Sequence, residues 1–125
     1  MAHAIQGRTS LLIIDDDERI LRMLRRNLSE RFDDLATVET NKEAEMYLMC
    51  HPVTHLISDL DLGPGEPDGF EIVTRLRRRH PQIQRAVVFT GASPSRNAVP
   101  QEVDGLVEKS GNLAELIEAL ALFKA

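Results

Sequence analysis

Tryptophan is absent from this chain of 125 residues, and tyrosine occurs once, phenylalanine four times and cysteine once. A core built from such a sequence has to be aliphatic. The single cysteine, Cys50, allows no internal disulfide and fits a reducing compartment. It follows Met46 and Met49 in a helical pattern, where a small buried hydrophobe is expected. Basic charge is also short: 15 lysines and arginines against 20 acids leave a net charge of −5. That argues against direct nucleic-acid binding, which needs a basic footprint. No segment approaches the ~18 apolar residues of a membrane span. Residues 1–9 lack the apolar stretch of a signal peptide and read as a frayed lead-in. A cytoplasmic protein with no membrane contact is expected. The length suits one domain, within the usual ~100–200 residues, and allows a core without staples.

What is present is an alternation of two periodicities. Leu11-Leu12-Ile13-Ile14 is a continuous apolar run, read as a strand buried on both faces. Asp15-Asp16-Asp17-Glu18 follow it. From Glu18 to Phe32 the apolar residues Ile20, Leu21, Leu24, Leu28 and Phe32 recur at helical spacing, with arginines opposite. The acids sit where a helix dipole favours them. Leu35–Glu39 reads as a second strand, and Thr40-Asn41-Lys42-Glu43 as a capping box. The helix it opens carries Ala44, Tyr47 and Leu48 and stops before Pro52. Thr54–Asp59 is the third strand. Asp68-Gly69-Phe70-Glu71 caps a helix with Phe70, Val73 and Leu76 inward, ending at His80-Pro81. Ala86–Thr90 and Gly105–Lys109 complete the strands, and Asn112 caps a last helix with Leu113, Leu116, Ile117 and Leu120 inward. Pro94 and Pro100 leave only a short or irregular fourth helix between Gly91 and Asp104.

Strand and helix alternating five times predict an α/β fold, with a five-stranded parallel sheet, helices on both faces and right-handed crossovers. Ligands in such sheets bind at the carboxyl ends of the strands, near the topological switch point. That edge collects Asp15 and Asp16 after the first strand, Asp59 after the third, Thr90 on the fourth and Lys109 on the fifth. Converging carboxylates raise one another's pKa unless a counter-charge is supplied. A hard divalent cation supplies it, and oxygen ligands suit Mg²⁺. A cation attracts phosphate oxygens, Lys109 and Thr90 serve others, and Asp59 is placed as a nucleophile at phosphorus. The chemistry indicated is phosphoryl transfer onto an aspartate.

Leu12-Ile13-Ile14-Asp15-Asp16-Asp17, Leu56-Ile57-Ser58-Asp59, Asp68-Gly69-Phe70, Val88-Phe89-Thr90-Gly91 and Val107-Glu108-Lys109 occur in order. Across residues 10–123 the chain resembles the receiver domain of two-component response regulators. The resemblance implies a doubly wound, flavodoxin-like strand order of 2-1-3-4-5. It implies that Asp59 accepts phosphate from a sensor histidine kinase or phosphotransfer protein. Mg²⁺ would be held by Asp15, Asp16, Asp59 and the backbone carbonyl of Asp61. Thr90 would bind the phosphoryl group and move on activation, and Lys109 would pair with it. Output would pass through a downstream protein or an effector domain outside this chain, with no turnover enzyme activity.

The chain departs from that family in places. Pro64 and Gly65 come one position late after Asp59, and Asp68-Gly69 two positions late, so the loop is longer. Leu106 stands at the switch position where an aromatic residue is usual. Ser110 replaces the proline that usually follows the lysine. Two other classes also share features with the chain. Leu56-Ile57-Ser58-Asp59-Leu60-Asp61 is similar to the hydrophobic-Asp-x-Asp motif of haloacid-dehalogenase-type phosphohydrolases, although the acids for a metal precede the motif here. A pseudo-receiver would bind a partner without being phosphorylated. Elsewhere, His3, His51, His55 and His80 show no ligand spacing and are expected to face solvent. Arg75, Arg77, Arg78 and Arg79 read as a solvated helix face.

Overall fold

A computed structural model describes residues 8–91, 98–111 and 113–120. Its strands are β1 (Ser10–Ile14), β2 (Asp34–Val38), β3 (His55–Ser58), β4 (Arg85–Thr90) and β5 (Gly105–Glu108). All pairings are parallel, and the order is β2-β1-β3-β4-β5. The chain runs outward from β1 to β2, then returns across β1 to β3, so the switch point lies between β1 and β3.

Side chains alternate across the sheet, and each face finds its own helices. Leu12, Ile14, Leu56 and Val88 pack with Ala44 and Leu48 of α2 (Asn41–Cys50) and Ile72, Val73 and Leu76 of α3 (Gly69–Arg79). On the other face, Leu11, Ile13, Ile57 and Phe89 pack with Leu21, Leu24 and Leu28 of α1 (Glu18–Leu28) and Leu116 and Ile117 of α4 (Leu113–Ala119). Two largely aliphatic layers therefore grip one sheet, with Phe32 and Phe89 buried in the second of them.

Local chemistry sets the helix starts. Asp17 caps α1 by accepting from the Arg19 N–H, Thr40 caps α2 from Glu43 N–H, and Asp68 caps α3 from Glu71 N–H. Each offers an oxygen to a donor that the helix leaves unpaired. In the capping box of α2 the return bond differs from the usual one. Glu43 accepts the N–H of Glu39 at 2.8 Å, one residue before the cap.

Several expectations from the sequence are corrected. The first helix ends at Leu28, and a 3-10 turn over Ser29–Arg31 carries the chain to Phe32, which is still buried. Cys50 is exposed, as are Met46 and Met49. The inner stripe of α2 is Ala44 and Leu48, and Cys50 lies about 200° round from Leu48 at 100° per residue. His55 is buried, not solvent-facing: it meets Phe32 edge-on at 5.1 Å, and its Nδ1 lies 2.8 Å from Thr54 Oγ1. Burial, then the charge of Arg85, holds its pKa below the ordinary histidine value. Arg77 is a tie rather than a solvated side chain. Its guanidinium donates to Asp104 Oδ2 at 2.7 Å and to the carbonyls of Glu102, Ile83 and Gln84. Arg78 pairs with Glu102, and Arg75 and Arg79 both reach Glu45 of α2. The lead-in over 1–7, the 92–97 part of the expected fourth helix, Asn112 and residues 121–123 lie outside the described residues.

Candidate active site

The carboxyl ends of β1 and β3 are locked in register, with Ile14 opposite Ser58. The next residues are Asp15 and Asp59, and the Asp59 N–H donates to the Ile14 carbonyl at 2.8 Å. Both aspartates are buried, whereas Asp16 is exposed at the rim. Asp15, Asp16 and Asp59 each offer an oxygen within 4.8 Å of the others. The strands thus present two carboxylates from below, and the turn into α1 adds a third.

Lys109 follows β5, two strands away, and its long side chain reaches back across the edge. Its Nζ lies 2.8 Å from Asp15 Oδ2 and 3.4 Å from Asp59 Oδ1. The Lys109 N–H donates to the Thr90 carbonyl at 2.8 Å, which ties its backbone to the end of β4. Asp15 Oδ1 accepts the Asp17 N–H at 2.9 Å. Asp17 faces the other way, as the cap of α1, and is not among the clustered carboxylates. The Arg19 N–H it accepts, first, holds its carboxyl below the usual range.

Electrostatics follow from this packing. Burial first, and then the charge of Asp15, push the Asp59 carboxyl above the ordinary aspartate range, against the pull of Lys109. Burial alone would lower the Lys109 pKa. The bond to Asp15 and the charges of Asp15 and Asp59 outweigh it and hold the ammonium form. One lysine therefore offsets part of a charge of three carboxylates, and the cluster keeps a net negative balance. Oxygen donors in that balance fit a hard divalent cation such as Mg²⁺.

Thr90 is buried at the end of β4. Leu106 is buried on β5, opposite Val88. Asp61 lies in the exposed loop after β3, and its Oδ1 accepts the Gly63 N–H at 2.9 Å. That bond turns the side chain into its own loop, away from a general-acid role beside Asp59. The peptides of the described residues are all trans, including the one before Ser110.

Two groups at this edge were not legible as site residues. Ser58 Oγ donates to the Asp59 carbonyl at 2.9 Å. Gly69, read from the sequence as part of a helix cap and of the Asp68-Gly69-Phe70 motif but given no site role, touches the acceptor strand directly. A Cβ there would stand 2.3 Å from the Asp59 carbonyl oxygen and 2.9 Å from Leu60 Cα. Only glycine permits this approach. The Asp68-Gly69 pair was the signal, because a glycine directly after a cap residue is a poor helix former.

The family model for the response regulator receiver domain matches residues 11–121. The chain belongs to that family. Among curated relatives, the photosynthetic apparatus regulatory protein RegA of Cereibacter sphaeroides is 34% identical over 90 residues, covering 72% of this chain and 47% of its own. The receiver thus spans about half the length of that relative. A Burkholderia pseudomallei response regulator solved with a phosphorylated aspartic acid, calcium ion and citrate superposes with a TM-score of 0.77 at 26% identity. It covers 90% of this chain and 66% of that one. The response regulator TrrA of Thermotoga maritima, in complex with Mg²⁺–BeF, gives 0.76 at 25% identity, covering 90% and 96%. A receiver is a signalling module of two-component systems, and the strand order and layers described above are those of this fold. Among the described residues, no helix is long and apolar enough to cross a membrane.

Proposed function

We propose that this receiver is phosphorylated on Asp59 by a phosphohistidine of a sensor kinase or phosphotransfer protein, and that the phosphoryl group switches a protein-interaction surface. The observation that carries the reading is the lysine-bridged carboxylate cluster, with Lys109 Nζ at 2.8 Å from Asp15 and 3.4 Å from Asp59. An Asp59 oxygen attacks phosphorus, the P–O bond forms as the P–N bond breaks, and the electron pair returns to the imidazole. The strands hold Asp59 still, so little reorganisation is left for the reaction. Lys109 offsets charge on a phosphoryl oxygen, and the Thr90 hydroxyl donates to another. Asp15, Asp16, Asp59 and the Asp61 carbonyl would hold Mg²⁺, which when bound neutralises charge between the carboxylates and the phosphoryl oxygens.

With Leu106 at the switch position, the response to phosphorylation is a repacking of aliphatic side chains about Thr90 rather than the rotation of an aromatic ring. On this reading the protein works in the cytoplasm beside its phosphodonor. It passes its state to a downstream protein or to an effector domain outside this chain, and is not a turnover enzyme. Incubation with acetyl phosphate and Mg²⁺ tests it. Intact mass should show one phosphoryl group on the native protein and none on Asp59→Asn. An unmodified native protein that still binds Mg²⁺ would favour the pseudo-receiver.

A further inference from the structure

The segment in which the chain is longer than its family, Gly63 to Pro67, has an attachment outside its own loop. Glu66 Oε1 accepts the N–H of Asn41, the first residue of α2, at 3.0 Å. The turn that carries Glu66 closes with its N–H on the Gly63 carbonyl at 3.2 Å. Gly63 and Gly65 have φ of 104° and 83°. Pro64 followed by a glycine of positive φ is the signature of a type II turn, a stiff connection. The Gly63 N–H donates in turn to Asp61 Oδ1 at 2.9 Å, and Asp61 stands two residues after Asp59. A continuous chain of hydrogen bonds therefore runs from Asp61, two residues past the phosphoacceptor, through Gly63 and Glu66 to the start of α2.

The loop also passes beside a second carboxylate, since a Cβ on Gly63 would lie 4.0 Å from Asp16 Oδ2. At its far end the Glu66 carboxylate meets one of the unpaired N–H groups of a helix, where negative charge is favoured. Thr40 already serves the Glu43 N–H of that turn, so Glu66 is the partner from outside α2.

We propose that Glu66 is a positioning residue: by fastening the β3–α3 loop to α2, it sets the segment carrying the Asp61 carbonyl and couples ion occupancy at the acidic cluster to the first turn of α2. This rests on the ion reading given above. Coupling of two sites is reciprocal, so an ion that orders the loop must also steady α2, and loss of the tether must weaken both effects.

The test uses the full chain as native protein, Glu66→Ala and Glu66→Gln. Mg²⁺ affinity is read by calorimetry, since a chain without tryptophan offers no indole fluorescence. Amide hydrogen exchange of α2 is read with and without Mg²⁺. Native protein should bind Mg²⁺ and slow exchange in the first turn of α2. Glu66→Ala should bind about two- to tenfold more weakly, the span of one hydrogen bond, and lose the response of α2. Glu66→Gln keeps an acceptor oxygen and should restore both. A Glu66→Ala protein with native affinity and a responsive α2 overturns the positioning role and leaves Glu66 a plain helix cap. Native protein with no Mg²⁺ response overturns the ion reading, and this proposal with it.

Discussion

Replacing Lys109 by methionine keeps the length of the side chain and removes its charge, so it isolates the electrostatic part of the site. Carboxylate oxygens no more than 4.8 Å apart repel by about 3.5 kcal/mol at an effective dielectric of about 20. Removing one partner of a buried ion pair costs about 3–5 kcal/mol. The Lys109 side chain is 19% exposed and the two aspartates less, so the low end, about 3 kcal/mol, is expected. For a domain of this size that is a fall of about 12 °C in Tm. Without the ammonium, the repulsion among the clustered carboxylates has no cation to offset it near neutral pH.

Acid reverses that order. In the native chain Lys109 has a raised pKa, and its contribution is fully present at neutral pH and lost only above the ordinary lysine range. In the variant the Asp59 pKa, already raised by burial and Asp15, rises further. The folded state then binds more protons than the unfolded state above the ordinary carboxylate range, so stability increases as pH falls through that window. The gap in Tm between native and Lys109→Met should therefore narrow in mild acid, as followed by circular dichroism. Mg²⁺ should narrow it as well, near neutral pH. A loss under about 1 kcal/mol, the value of a surface pair, with no dependence on pH or Mg²⁺, would refute the argument.

Asp16→Asn should fold with native stability but lose most of the rise in Tm that Mg²⁺ gives by mass action; a full Mg²⁺ response would remove Asp16 from the ligand set. Gly69→Ala forces a methyl against the Asp59 carbonyl and should cost about 1–3 kcal/mol in urea unfolding, with slower acceptance of phosphate as Asp59 shifts. A fully stable Gly69→Ala would show that the approach of α3 to β3 is looser than described. Arg77→Ala takes a donor from three carbonyls and from Asp104, which keeps the Ala86 N–H, and should cost about 1–3 kcal/mol, with no effect on phosphorylation. Cys50 should react with a thiol reagent in the native state as fast as in urea; protection would restore it to the core.

The sheet was legible because β1 and β4 carry continuous apolar runs, and because alternation of short strand-like segments with helical spacing admits one layer architecture. The edge residues followed from the rule that strand ends gather ligands, which brings Asp15, Asp59, Thr90 and Lys109 together without any coordinates. Misreadings came where a residue's type and its position disagree. Cys50 and Met46 count as apolar, yet Ala44 and Leu48 define the buried stripe of α2. His55 counts as polar, yet it alternates with Ile57 on the face that packs Phe32, so the period-two pattern did hold the answer. Phe32 kept helical spacing past the end of α1 because a 3-10 turn presents it to the same core. The contacts of Glu66 and Gly69 depend on the path of one loop, and no periodicity reports a loop's path.

The central claim is that Asp59 is the phosphoacceptor. After incubation with acetyl phosphate and Mg²⁺, borohydride reduction and peptide mass mapping locate the modified residue, since an aspartyl phosphate is reduced where a free carboxylate is not. Modification at Asp59 alone, absent without Mg²⁺ and absent in Asp59→Asn, is the predicted result. A phosphoryl group on another residue, or an unlabelled Asp59 in Mg²⁺-loaded protein, would contradict it.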